Sequence, residues 1–111
     1  MTTPTEMNCI EITKPGGPEN LVLVKRQTPK PSLGEVLIKV SAAGVNRPDI
    51  MQRQGLYPPP PGASDIPGLE IAGEIVEINA YNTRFNIGDK VCALVSGGGY
   101  SFYCNAPVQQ T

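Results

Sequence analysis

Hydrophobic and polar positions alternate along the chain in short runs, most clearly in EVLIKVSAAG, Glu35 to Gly44. Val36, Ile38 and Val40 fall on one face and Lys39 and Ser41 on the other, the period-2 signature of a half-buried β-strand. Upstream, the β-rich run Met7 to Thr13 ends at the breaker PGGPEN, Pro15 to Asn20, and Leu21 to Gln27 follows at once. Two such runs on either side of a turn predict an antiparallel pair. The connection TPKPSL, Thr28 to Leu33, is stiffened by Pro29 and Pro31 and cannot extend a ladder. Leu69 to Ile78 alternates again with Gly73 in its middle, which predicts a long, bent strand with a bulge or a close backbone approach. Val91 to Ser96 is another strand, and Gly97, Gly98 and Gly99 are expected to make a hairpin turn into YSFYCNA. Between the third and fourth of these runs, Pro48 suits a first helical turn and DIMQRQ a turn or two of helix ending at Gly55. Six or so strands with one helical turn predict a mainly β fold, a small barrel or sandwich.

Composition narrows the picture. At 111 residues the chain can bury one hydrophobic core and is too short for two large domains. Gly and Pro, twelve each, sit between hydrophobic runs that make up 40% of the chain, so they read as turns and not as disorder. Nine basic against ten acidic residues leave a net charge of −1, without the positive field that draws phosphate backbones or anionic lipid. Nucleic acid and membrane surfaces are therefore not expected as partners. No window approaches the roughly 20 apolar residues needed to cross a bilayer, and the first residues lack the pattern of a secretory signal, so the expected location is cytoplasmic. Cys9, Cys92 and Cys104 are odd in number and widely spaced, which reads as reduced, strand-borne thiols. Histidine is absent, which removes the usual general base near neutral pH and the commonest metal ligand.

The chemistry-bearing residues cluster in GVNRPDIMQRQGLYPPPPG, Gly44 to Gly62. Asn46 has two readings: a cap whose side chain accepts from the Asp49 amide, or a neutral donor and acceptor that orients a polar ligand. Tyr57, held between Gly55 and Pro58, either packs half-buried or projects its phenol from a rigid loop. Pro58 to Pro61 favour a stiff extended segment that walls a cleft; the PxxP spacing alone also fits a ligand for an SH3-type domain. Asp49 and Glu70 are candidate acid and base residues, and by default local hydrogen-bond acceptors. The triple glycine lacks the following helix that a dinucleotide fingerprint needs. Cys92 and Cys104 have no neighbouring ligands, so no protein zinc site is expected.

The ordered stretch GEVLIKVSAAGVNRPDIMQRQGLYPPPPGASDIPGLEIAGEI, followed by RFNIGDKVCALVSGGGYSFYCNAP, resembles the N-terminal, GroES-like half of medium-chain dehydrogenases/reductases. Within them it is similar to the zinc-independent NAD(P)H:quinone oxidoreductases, the branch related to ζ-crystallin. The resemblance runs from Cys9 to about Val108. It implies a GroES-like, partly open β-barrel with one or two short helical turns across residues 1–111. Zinc-dependent members carry Cys and His where this chain has Asn46 and Leu69, so no metal site is implied, while Asp49 and Glu70 are kept. In the quinone-reductase relatives the matching Asn and Tyr line the cleft near the nicotinamide and its ribose. That assigns catalytic and cofactor-binding roles to Asn46 and Tyr57, and places Met51 and Leu69 in the substrate cleft. Some members have a tyrosine where Met51 stands, so a tyrosine-assisted proton relay is not carried over.

The implied activity is metal-free hydride transfer to a quinone or enone, with NADPH or NADH as cofactor. A quinone spreads the incoming charge over its ring and second carbonyl, so no Lewis acid is required. Family members continue into a doubly wound nucleotide-binding domain, and that Rossmann domain is absent from this sequence. The chain alone is therefore expected to bind no cofactor firmly and to expose an apolar face, with self-association into a homo-oligomer as one relief. The alternative reading is a stand-alone GroES-like module with a non-enzymatic binding or oligomerising role.

Overall fold

The computed structural model describes residues 3–111. Its strands are β1 (Glu6–Ile12), β2 (Leu21–Gln27), β3 (Glu35–Ala43), β4 (Glu70–Asn79), β5 (Lys90–Leu94) and β6 (Tyr103–Pro107). One α-helix, α1 (Arg47–Arg53), and short 3₁₀ turns at Pro18–Asn20 and Val108–Gln110 complete the elements. β1 and β2 pair antiparallel, from Glu6 opposite Gln27 to Ile12 opposite Leu21, as the breaker between them predicts. The other four strands form a sheet in the order β5-β4-β3-β6.

The two sheets are stitched by the short segment that leads into β6. Ile10 N–H donates to the Tyr100 carbonyl at 2.8 Å and Phe102 N–H to the Asn8 carbonyl at 3.0 Å, while Val40 N–H donates to the Phe102 carbonyl at 2.8 Å. Segment 100–102 thus bonds β1 on one side and β3 on the other. The sheets do not close on one another, which gives the partly open barrel expected of this sequence.

This topology corrects the reading of the triple glycine. β5 and β6 lie at opposite edges of the sheet, so Gly97 to Gly99 cannot be a hairpin turn between them. The glycines instead run against segment 66–68, where Gly98 N–H donates to the Ile66 carbonyl at 2.7 Å and Gly99 N–H to the Gly68 carbonyl at 3.1 Å. A side chain at Gly68 would meet the Gly99 Cα at 2.7 Å. Gly97 and Gly99 are needed because backbone passes backbone there, and Gly98 because its φ of +94 is left-handed, a demand that local turn chemistry does not announce.

The irregularity of the β3-β4 ladder includes the glycine of the alternating run. The ladder with β3 shifts register between Leu37 and Ile38 and again between Val40 and Ala42, and Gly73 lies opposite Val40. A Cβ on Gly73 would collide with the Lys39 carbonyl, so the close-approach reading holds. The core is built from Val36, Ile38, Ile71, Ile75, Ala93, Cys104 and Ala106. Leu37 departs from the half-buried pattern, being as fully enclosed as Val36 and Ile38. β3 runs between β4 and β6, and its start is covered on both faces.

All three cysteines are free and lie in strands, Cys9 and Cys104 buried and Cys92 exposed. Burial, aided by the negative charge of Glu35, pushes the Cys104 thiol up from its ordinary 9.0 to about 12. Above pH 9 the unfolded chain releases this proton and the folded chain retains it, so stability falls as pH rises toward 12. The slope from one such group is at most about 1.4 kcal/mol per pH unit. Cys9 and Tyr100 are raised too, chiefly by burial, and act in the same direction. Urea unfolding at stepped alkaline pH is expected to show this decline, with a shallower slope in Cys104→Ala; equal slopes contradict the assignment.

Candidate functional site

α1 begins where β3 ends, and its first turn is organised by Asp49. Asn46 is the N-cap residue in an extended conformation, Pro48 occupies the first turn, and the Asn46 N–H donates to Asp49 Oδ2 at 3.0 Å. The Asp49 N–H donates to the Asn46 backbone carbonyl at 3.0 Å and also faces the Asn46 side chain, so the two residues close a reciprocal capping box, the cap reading of Asn46. At the other end the Gly55 and Leu56 amides donate to the Gln52 and Met51 carbonyls at 3.0 and 2.8 Å. Gly55, at φ +83, supplies the left-handed residue that ends the helix.

Asn46 also reaches across to β4. Its Nδ2 donates to Glu70 Oε1 at 2.9 Å. Glu70 opens β4 and is held in place by its own backbone, whose carbonyl accepts from Gly44 N–H at 3.1 Å. The Glu70 carboxyl lies so close over Gly44 that a Cβ there would displace it. Asp49 is 5% exposed, and its Oδ2 also accepts from the Tyr100 hydroxyl at 2.8 Å. Burial, and then the Asp49 hydrogen bond, push the Tyr100 phenol above its usual range. Asp49 Oδ1 is buried without a partner among the described residues.

The structure therefore brings together Asn46, Asp49 and Glu70 and adds Tyr100, which sequence reasoning passed over. The signal in the sequence is its position directly after the triple glycine, which local chemistry presents as a turn. Tyr57 is half-buried beyond the end of α1, and among the described residues no hydrogen bond joins its phenol to this cluster. Met51 on α1 and Leu69 before β4 are half-buried. Asp49 and Glu70 serve as local acceptors, the default reading of each.

Two cavities flank this arrangement, and Asn46 and Tyr57 line neither. A cavity of about 380 Å³ borders Gly44, Glu70, Ala72 and Leu94 beside the cluster. A larger one of about 570 Å³ lies between the sheets, with Pro60, Pro61, Ser64, Gly97 and Cys104 among its walls. The prolines thus form a wall, but of a cavity other than the one at Glu70. The loop that follows is clamped, with Arg26 holding Asp65 through two bonds of 2.7 and 3.1 Å and Glu11 through a third of 2.5 Å.

The donor set does not suit zinc. Among the described residues no three His, Cys, Asp or Glu side chains converge, Leu69 offers only carbon, and an Asn46 amide hydrogen is engaged by Glu70. Nor does the triple glycine suit a pyrophosphate, since the Gly98 and Gly99 amides are spent on segment 66–68. What the cluster can offer is a fixed neutral amide beside a carboxylate, able to orient a polar ligand.

Comparison with known proteins decides the family, because the pattern of the alcohol dehydrogenase GroES-like domain matches residues 32–111. The chain belongs to that family. It is 33% identical over 104 residues to the human synaptic vesicle membrane protein VAT-1 homolog-like, covering 94% of this chain and 25% of the relative. The crystal structure of that human protein superposes with a TM-score of 0.85, covering 95% of this chain and 34% of the other. The quinone oxidoreductase of Lama guanicoe is 38% identical over 102 residues, 90% of this chain and 31% of the relative. A mycobacterial protein solved with NADPH is 34% identical with a TM-score of 0.80, covering 94% of this chain and 32% of that one. The GroES-like chain thus spans about a quarter to a third of the relatives it matches. Among the described residues no helix is long and apolar enough to cross a membrane.

Proposed function

We propose that the chain is the substrate-side half of an NADPH-dependent, metal-free quinone or enone reductase that works in the cytoplasm. The observation that carries this reading is the Asn46 amide, held on Glu70 at 2.9 Å and anchored from beneath by buried Asp49. The named quinone oxidoreductase relative and the NADPH-bound neighbour support the reaction class. A reduced nicotinamide cofactor supplies a hydride when bound. The contribution of this chain is orientation: with one Asn46 amide hydrogen committed to Glu70, the plane of the amide is fixed, and its remaining donor and acceptor point in set directions. Holding two planar reactants in one geometry accounts for much of the rate in such a transfer, without a change of charge on the protein. Tyr57 has its phenol available to donate from the loop after α1, and Met51 and Leu69 supply apolar contact for a planar ring.

Steady-state kinetics of NADPH-dependent quinone reduction by the complete protein test this reading. Tyr57→Phe is expected to raise KM with a smaller effect on kcat, and unchanged constants remove Tyr57 from the site. Calorimetric titration of the 111-residue chain with NADPH is expected to show no firm binding, since the Gly98 and Gly99 amides are spent on segment 66–68 and not free for a pyrophosphate. Micromolar affinity for the isolated chain contradicts that division of labour.

A further inference from the structure

We propose that Tyr100 is a positioning residue for Asn46 and acts through Asp49. Tyr100 stands at the end of the triple-glycine passage, and its own backbone is fixed from two sides. Its N–H donates to the Pro67 carbonyl at 2.9 Å, and its carbonyl accepts from Ile10 N–H at 2.8 Å. Its ring packs against the second, smaller core of Met7, Cys9 and Ile66. From that anchored base the hydroxyl donates to Asp49 Oδ2 at 2.8 Å, and the same oxygen accepts the Asn46 N–H at 3.0 Å. One carboxylate oxygen therefore joins a residue of the inter-sheet seam to the residue whose amide rests on Glu70.

The arrangement is economical only if the orientation of Asp49 matters. Asp49 Oδ1 has no partner among the described residues, so both bonds that fix the carboxylate use Oδ2: one comes from the N-cap Asn46 next to α1 in the chain, and the Tyr100 hydroxyl is the one contributed from a distant segment. A buried carboxylate held by a charge-assisted bond from an anchored phenol is a stiffer support than one facing solvent. A role confined to filling the small core is the competing account, and it needs the ring but not the hydroxyl.

The importance of this placement for catalysis rests on the proposed function of Asn46, while the placement itself can be tested without it. In the 111-residue chain, hydrogen exchange of the Asn46 backbone amide in Tyr100→Phe is expected to quicken about tenfold, the order expected for loss of one such support. Ile38 and Ile75 amides in the main sheet should keep their protection. In an Asp49→Asn background, where the carboxylate is already lost, Tyr100→Phe should add much less, the mark of two residues acting as a unit. Unchanged Asn46 exchange in Tyr100→Phe, an equal acceleration at Ile38, or full additivity with Asp49→Asn overturns the proposal. In the complete protein, Tyr100→Phe should lower kcat/KM with Asn46 present and add no further loss in Asn46→Ala, and a loss that persists in Asn46→Ala also overturns it. If Asn46→Ala alone leaves kcat/KM unchanged, the catalytic role of Asn46 fails, and the exchange experiment still decides the placement.

Discussion

Gly73→Ala is expected to destabilise the fold by about 3 kcal/mol, at the upper end of what overpacking costs, and to lower the melting temperature by about 10 °C or more. The added methyl points into the Lys39 carbonyl and lies 2.9 Å from the Ile38 Cγ2 atom. Neither can retreat, because Lys39 pairs with Glu74 on one side and Tyr103 on the other, and Ile38 is wholly buried in the main core. Relief therefore requires prising β3 from β4 at the bulge. The site feels this as well, since β4 begins with Glu70 and β3 ends just before Gly44. Thermal unfolding followed by circular dichroism checks the expectation, and a shift of less than about 2 °C contradicts the packing described at the bulge.

The second large effect is functional. Asn46→Ala in the complete protein is expected to lower kcat/KM for quinone reduction about 100-fold, the scale on which a misplaced reactant loses rate. The fold should survive, because the Asp49 carboxylate and the Asn46 main chain still hold the first turn of α1. Asn46→Asp separates positioning from polarity. It puts a carboxylate at hydrogen-bond distance from Glu70 Oε1, where two negative charges repel and the amide donor is gone. That variant should be no better than alanine near neutral pH and should recover in part on acidification, as one of the two carboxyls takes a proton. Parallel kinetics of the two variants against pH give the readout; wild-type values for both place Asn46 outside the reaction.

Much of this architecture is legible in the alternation of residues. Val36, Ile38 and Val40 fix the central strand, and the breaker from Pro15 to Asn20 fixes the β1-β2 pair, because each rests on local chemistry that the fold does not override. Gly73 shows its purpose in sequence, since a lone glycine within an alternating run leaves few explanations besides a bulge or a close approach. Gly97 to Gly99 do not, because their neighbours at residues 64–68 are about thirty positions away in the chain, and only the topology brings them together. Leu37 hides its burial for a similar reason: which strand is covered on both faces depends on sheet order, not on period. At the site, Asn46, Asp49 and Glu70 were visible as residue types, and the bond from Asn46 to Glu70 spans twenty-four positions. Tyr100 reaches Asp49 across fifty-one, and its one local mark, the glycines before it, does not point to that partner.

The central claim is that a fixed amide, and not a bound cation, organises the reaction. Stopped-flow oxidation of NADPH by a simple benzoquinone, catalysed by the complete protein before and after exhaustive treatment with a metal chelator, tests it most directly. The account predicts the same hydride-transfer rate in both samples and no gain on adding zinc. A rate abolished by the chelator and restored by zinc would contradict it.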